Sequence, residues 1–187
     1  MSNSPTAEVI LVDTDDNIIG SMEKLKAHEQ GLLHRAFSIL IFNDAQELLL
    51  QQRALNKYHS AGLWTNTCCS HQMPGETTME ASIRRLKEEM GMSCELFHQF
   101  TFIYKAELEN NLIEHELDHV LIGFSNENPV INEEEVMNFK WIKIEHLQRD
   151  MKLHPENYTV WFNLIFNQHL ERLNSYLYHE SLQKRNF

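Results

Sequence analysis

Apolar and polar positions fall in blocks whose spacing reads as secondary structure. AEVILVDTDDNIIG, from Ala7, reads as a strand, an Asp/Asn turn and a short strand. MEKLKAHEQGLL is a short helical or loop segment ended by Gly31. HRAFSILIFND and ELLLQQRA are two apolar runs joined by NDAQ, most simply a hairpin. From Glu80 to Met90, Ala81, Ile83, Leu86 and Met90 form an apolar helical stripe, with Gly91 as the C-cap. LFHQFTFIYKAEL, EHELDHVLIGFS and FKWIKI read as strands, with Asn110 and Asn111 at the turn between the first two. IEHLQRDM looks helical. Pro155 is expected to open a long final helix carrying apolar Trp161, Leu164, Ile165, Leu170 and Leu177. Strands mixed with helices, without regular βαβ alternation, predict an α+β domain with a mixed sheet.

Composition narrows the partners. The chain has 187 residues, 42% of them hydrophobic, enough for one domain with a full core. A net charge of −11 argues against nucleic acid or an anionic membrane as the main partner. No apolar run is long enough to span a bilayer, and MSNSPTAEVI lacks the pattern of a secretory signal. Three cysteines, two of them adjacent, form no disulfide framework and point to a reducing, cytoplasmic setting.

Candidate chemistry starts at TNTCCSHQMPGE, which puts Cys69 two residues before His71. In IEHELDHV, Glu114 and Glu116 alternate, so on a strand both carboxylates point to one side. Two aimed carboxylates repel unless they share a metal or a proton. Together with His28, His34 and His71 they would make a mixed N/O metal site, although spacing alone does not bring those three imidazoles together. Each histidine taken singly reads more readily as a surface or hydrogen-bonded residue. Glu88 and Glu89 close the Glu80–Met90 helix, where acidic groups oppose the helix dipole unless a cation lies near.

The stretch from Ser70 through Glu76, Arg84 and Arg85 to Met92 resembles the Nudix box, the loop–helix–loop signature of enzymes acting on diphosphates through a metal. It departs from that box twice. Ser70 takes the Gly position, and Arg85 takes the place of a carboxylate that the hydrolases use to assemble their metal cluster. GLLHRAFSILIFN, LLLQQRA, LWTNTCCSH, IRRLKEEMG, EHELDHV and EEEVMNFKWI, taken together and in this order, resemble type 1 isopentenyl diphosphate isomerase over roughly residues 20–165.

The resemblance implies a Nudix-like mixed β-sheet sandwiched between helices. The single domain would span 1–187, with an N-terminal extension over 1–30 and a C-terminal helix over 155–187. It also implies interconversion of isopentenyl and dimethylallyl diphosphate. Cys69 and Glu116 would be catalytic, with Tyr104 and Trp161 completing the site. One divalent ion, Mn²⁺, Zn²⁺ or Mg²⁺, would be held by His28, His34, His71, Glu114 and Glu116. A Mg²⁺ on the diphosphate would be held by Glu89 and the Cys69 carbonyl. Lys24, Arg53, Lys57 and Arg85 would contact the diphosphate, and Cys68 would only pack. No flavin is needed, and a monomer or weak dimer is expected. The leading order has Glu116 with Tyr104 protonating the alkene and Cys69 removing a proton, in a reversible reaction. The competing readings are a Nudix diphosphohydrolase and a zinc-holding regulatory domain without turnover.

Overall fold

The structure, a computed structural model, describes residues 7–184, with side chains over 7–173. Nine strands in these residues join one mixed sheet. The strands β1 (Glu8–Val12) and β2 (Ile18–Glu23) form an antiparallel pair, and α1 (Lys24–Gln30) follows. The centre is β3 (His34–Phe42), which runs parallel to β8 (Ile113–Phe124) from His34↔Glu116 to Phe42↔Phe124. On its other side β3 meets β6 (Cys68–Ser70) and, through Leu11↔His34, β1. Strand β7 (Leu96–Glu107) pairs antiparallel with β8. The strand β4 (Glu47–Arg53) takes β9 (Val136–Lys143) and β5 (Trp64–Thr65) as neighbours.

The expected hairpin is only its turn. Strands β3 and β4 pair at Phe42↔Leu48 and then part, β3 to β6 and β8 and β4 to β5 and β9. The reason lies in their near-continuous apolar runs. A strand covered on both faces belongs in the middle of a sheet and not in an isolated ribbon.

Alternation along β3 builds the two sides. Phe37, Ile39 and Ile41 face Ala81, Leu86 and Met90 of α2 (Thr78–Met90). Leu40 and Phe42 face Leu147 and Met151 of α3 (Ile144–Leu153), and Trp161, Phe162 and Ile165 of α4 (Val160–Lys184). The sheet is therefore sandwiched between helices, in an α+β fold. Helix α2 starts earlier than its apolar pattern indicates, because Thr77 and Glu80 form a reciprocal capping box. Its buried face holds Ala81, Ser82, Leu86, Glu89 and Met90, whereas Ile83, expected in the stripe, is 46% exposed. Pro155 opens a separate 3-10 turn, Pro155–Asn157, and α4 begins only at Val160. Leu177 lies outside the described side chains.

Gly91 ends α2 at φ +66°, where an added Cβ would lie 2.5 Å from the Val130 carbonyl oxygen. Gly91→Ala is expected to cost about 2 kcal/mol of stability, read from urea unfolding. An unchanged unfolding midpoint would contradict this account of the α2 terminus.

Candidate active site

Strand register gathers the site. Residues directly opposite across paired strands face the same side, as do residues two apart on one strand. Glu116 lies opposite His34 on β3 and opposite Tyr104 on β7, and Cys69 lies opposite Ser38. His34, Ser38, Cys69, Tyr104, Glu114 and Glu116 thus share one side of the sheet. Cys68 turns to the other side, into the α2 core, with no exposed surface.

Tyr104 ties the two carboxylates together. Its hydroxyl oxygen is 2.6 Å from Glu116 Oε2 and 3.0 Å from Glu114 Oε2. Glu116 Oε1 is 2.8 Å from His71 Nε2 and 3.5 Å from His34 Nε2. His28, carried by α1, turns Nδ1 to the Lys24 carbonyl at 2.7 Å, and His34 turns Nδ1 to the Leu32 carbonyl at 2.8 Å. A carbonyl accepts only from N–H, so both rings carry a proton on Nδ1 and turn Nε2 inward. Both Nε2 atoms are buried without a hydrogen-bond partner. This is the arrangement in which metal-binding histidines are held by a second contact on the far nitrogen.

Protonation states follow from burial. Desolvation lowers His28 to about 4 and His71 to about 3, so both imidazoles are neutral near pH 7. Burial alone would raise Glu116, but the contacts from His34 and His71 outweigh it and hold Glu116 well below the usual carboxylate range. Burial, reinforced by the charge on Glu116, pushes Glu114 well up. The pair therefore keeps one proton, on the Glu114 side, with the Tyr104 hydroxyl between the carboxylates. One donor atom each from His28, His34, His71 and Glu116 lies within 4.8 Å of the others. Three imidazoles gathered around one buried carboxylate fit a divalent transition ion, and this cluster could hold one. Glu114, expected in the same set, falls instead into an adjoining group with His28 and His59.

Beside this cluster lies a cleft lined mainly by polar and charged side chains. Cys69, His71, Glu114, Glu116, Glu89 and Trp161 all open onto it, whereas His28, His34 and Tyr104 lie behind its surface. The four expected cations line it too, each already engaged. Arg53 donates to the carbonyls of Ser60 and His59 at 3.1 Å each and sits 5.3 Å over the Trp161 ring. Lys24 Nζ lies 5.7 Å over the Tyr58 ring. Lys57 pairs with Glu135, which also lies 3.3 Å from Arg85. Arg85 further meets Glu88 at 2.9 Å and Glu89 at 2.5 Å. Burial works against the Arg85 charge, but Glu89 and Glu135 outweigh it and raise its proton affinity.

Gln51, Glu135 and His59 are among the cleft residues outside the sequence-based set. Gln51, 2% exposed, donates to Glu89 at 3.0 Å, and a polar residue inside the run ELLLQQRA was its visible signal. Glu135 is the last of three consecutive acids, with no local pattern that sets it apart from Glu133 and Glu134. His59, 6% exposed, has no spacing that distinguishes it from the other histidines.

The fold and site define a Nudix-type domain: the NUDIX domain family matches residues 32–162. A MutT protein from Methanosarcina mazei Go1 has a similar fold, with a TM-score of 0.61 and 20% identity over 76% of this chain and 95% of that one. A Deinococcus radiodurans protein gives a TM-score of 0.65 at 17% identity, over 78% of this chain and 89% of that one. An isopentenyl-diphosphate Delta-isomerase of Pectobacterium atrosepticum is 52% identical over 162 residues, which is 87% of this chain and 90% of the relative. One from Serratia proteamaculans is 53% identical over 154 residues, 82% of this chain and 86% of the relative. The chain belongs to the isopentenyl-diphosphate Delta-isomerase family. No helix in the described residues is long and apolar enough to cross a membrane.

Burial pushes the Cys69 thiol up to about 12, so it keeps its proton at neutral pH. In metal-free protein, alkylation of Cys69 by iodoacetamide should be slow near pH 7 and rise about tenfold per pH unit above it. A rate that levels off near pH 8, followed by peptide mapping, would contradict that burial effect.

Proposed function

We propose that the chain carries out its family's reaction with Cys69 and Glu116 as the two proton-handling groups. Isopentenyl and dimethylallyl diphosphate differ by the position of one double bond. An unactivated alkene is a very weak base, and protonating its terminal carbon gives a tertiary carbocation. Loss of a proton from the carbon nearer the diphosphate completes the shift. The route needs an acid and a base at one substrate, with water kept out.

What supports the reading is one cleft lined by both Cys69 and Glu116, where burial holds the thiol protonated and the imidazole contacts hold the carboxylate ionised. These charge states favour the reverse of the order expected from sequence. Cys69 starts with the proton to be given, and Glu116, hydrogen-bonded to Tyr104, starts ready to accept one. In the opposite direction the two exchange roles. Trp161, 3% exposed, offers an indole face that stabilises a nearby cation by roughly 1–2 kcal/mol without attacking it.

His28, His34, His71 and Glu116 would hold one ion, Mn²⁺, Zn²⁺ or Mg²⁺. Glu89 and the Cys69 carbonyl would hold Mg²⁺ on the diphosphate. Such ions supply positive charge to the buried carboxylates and to the substrate phosphates. Lys57 and Arg85 leave Glu135 for the diphosphate, joined by Lys24 and Arg53. Arg85 favours isomerisation over hydrolysis. It stands where the hydrolases' box has a carboxylate, and it occupies Glu88 and Glu89 with a cation. The wider reading is a cytoplasmic monomer or weak dimer without a nucleic-acid or membrane partner.

Isomerisation of isopentenyl diphosphate should proceed without phosphate release and stop when a chelator is added. Phosphate release from nucleoside diphosphate derivatives would return the chain to the hydrolase reading. Cys69→Ala is expected to lower kcat by about 10³-fold, and Cys68→Ala by less than about tenfold. Equal losses would remove the special role of Cys69. Glu116→Gln should stay folded by circular dichroism yet lose turnover by a similar factor, and wild-type activity there would exclude Glu116 from proton transfer.

A further inference from the structure

His59 occupies a place in the site that neither its sequence context nor the expected ligand set assigns. It sits in the loop between β4 and β5, and that loop is well held. Arg53 bonds the His59 and Ser60 carbonyls, and the Asn110 side chain donates to the Tyr58 carbonyl at 3.1 Å. The imidazole lies among three rings, with centroids 4.6 Å from Tyr58, 5.9 Å from His28 and 6.1 Å from Trp161. Its Nε2 is 3.7 Å from Glu114 Oε1, close but beyond hydrogen-bond length.

A buried imidazole and a buried carboxylate that face each other without a bond are spaced as two donors to one ion. Ligands about 2.1 Å from a metal lie roughly 3–4 Å from one another. The third donor is present. His28, His59 and Glu114 each place a ligand atom within 4.8 Å of the other two. The His28 Nε2 is buried and has no hydrogen-bond partner.

We propose that His28, His59 and Glu114 form a second cation position beside the four-donor cluster, selective for a divalent transition ion such as Co²⁺, Zn²⁺ or Mn²⁺. The proposal rests on the reading that the four-donor cluster binds such an ion. His28 has one free lone pair, so the two positions are alternatives for a single ion. The second lies towards Tyr58 and Trp161. An ion there leaves Glu116 with only its phenol and imidazole contacts. Three protein donors leave coordination positions open, as in metal sites that accept an outside ligand.

Co²⁺ titration of metal-free protein, followed by calorimetry and visible absorption without substrate, separates the cases. Wild type should bind one Co²⁺ per chain. His34→Ala/His71→Ala breaks the four-donor cluster and should still bind one, about 10–100-fold more weakly. Adding His59→Ala should abolish that residual binding. Loss of all binding in the double variant, or no further loss in the triple, overturns the proposal. Wild type that binds no Co²⁺ overturns the underlying metal reading instead. If the multiple variants do not fold, crystals of the single variant His71→Ala, in which the four-donor cluster is broken, soaked in Co²⁺ decide. An anomalous peak about 2.1 Å from the His59 ring nitrogen, absent in His59→Ala, is the expected result. A peak confined to the four-donor cluster overturns the proposal.

Discussion

Two carboxylates buried together around one phenol are the constraint on which the rest of this structure depends. Glu114 and Glu116 lie two apart on a strand, so the backbone itself aims them at the same point. In a low-dielectric interior two such charges do not coexist unaided. The Tyr104 hydroxyl, a proton kept on the Glu114 side, and the imidazoles of His34 and His71 around Glu116 together make the burial tolerable. The parallel register of β3 with β8 brings His34 to Glu116, and α1 brings His28 across from outside the central strands. The N-terminal segment is thus part of the site, since without α1 the cluster lacks an imidazole.

A second electrostatic arrangement occupies the other side of the cleft. Helix α2 buries Glu89 at its C-terminal end, where the helix dipole disfavours an acid. Arg85 and Gln51 answer that charge, and Glu135 shares Arg85 with it. In this network Arg85 turns a box associated with hydrolysis into a place where carboxylates and cations already balance. Under the proposed function an incoming diphosphate would compete with Glu135 for Lys57 and Arg85. These cations are already paired with carboxylates, in keeping with a net charge of −11.

Much of this was legible in the chain because it is carried by short-range rules. The i, i+2 spacing of Glu114 and Glu116, the Cys69–His71 pair and the C-cap at Gly91 each follow from one element's geometry. The division between Cys68 and Cys69 follows from strand alternation, as the packing of Cys68 against α2 shows. What escaped depends on tertiary pairing. The parting of β3 and β4 is decided by β8 and β9, which lie far along the chain. The buried face of α2 includes Glu89 and omits Ile83 because Gln51 and Arg85 give the acid partners. His59 comes to the cluster through a loop conformation that no local pattern encodes.

The most direct test of the buried carboxylate cluster is the melting temperature of metal-free protein titrated with Mn²⁺. An ion that binds the folded cluster stabilises it by mass action. The account predicts that the melting temperature rises with Mn²⁺ concentration in step with binding of one ion per chain. A melting temperature that stays flat or falls through saturating Mn²⁺ would contradict it.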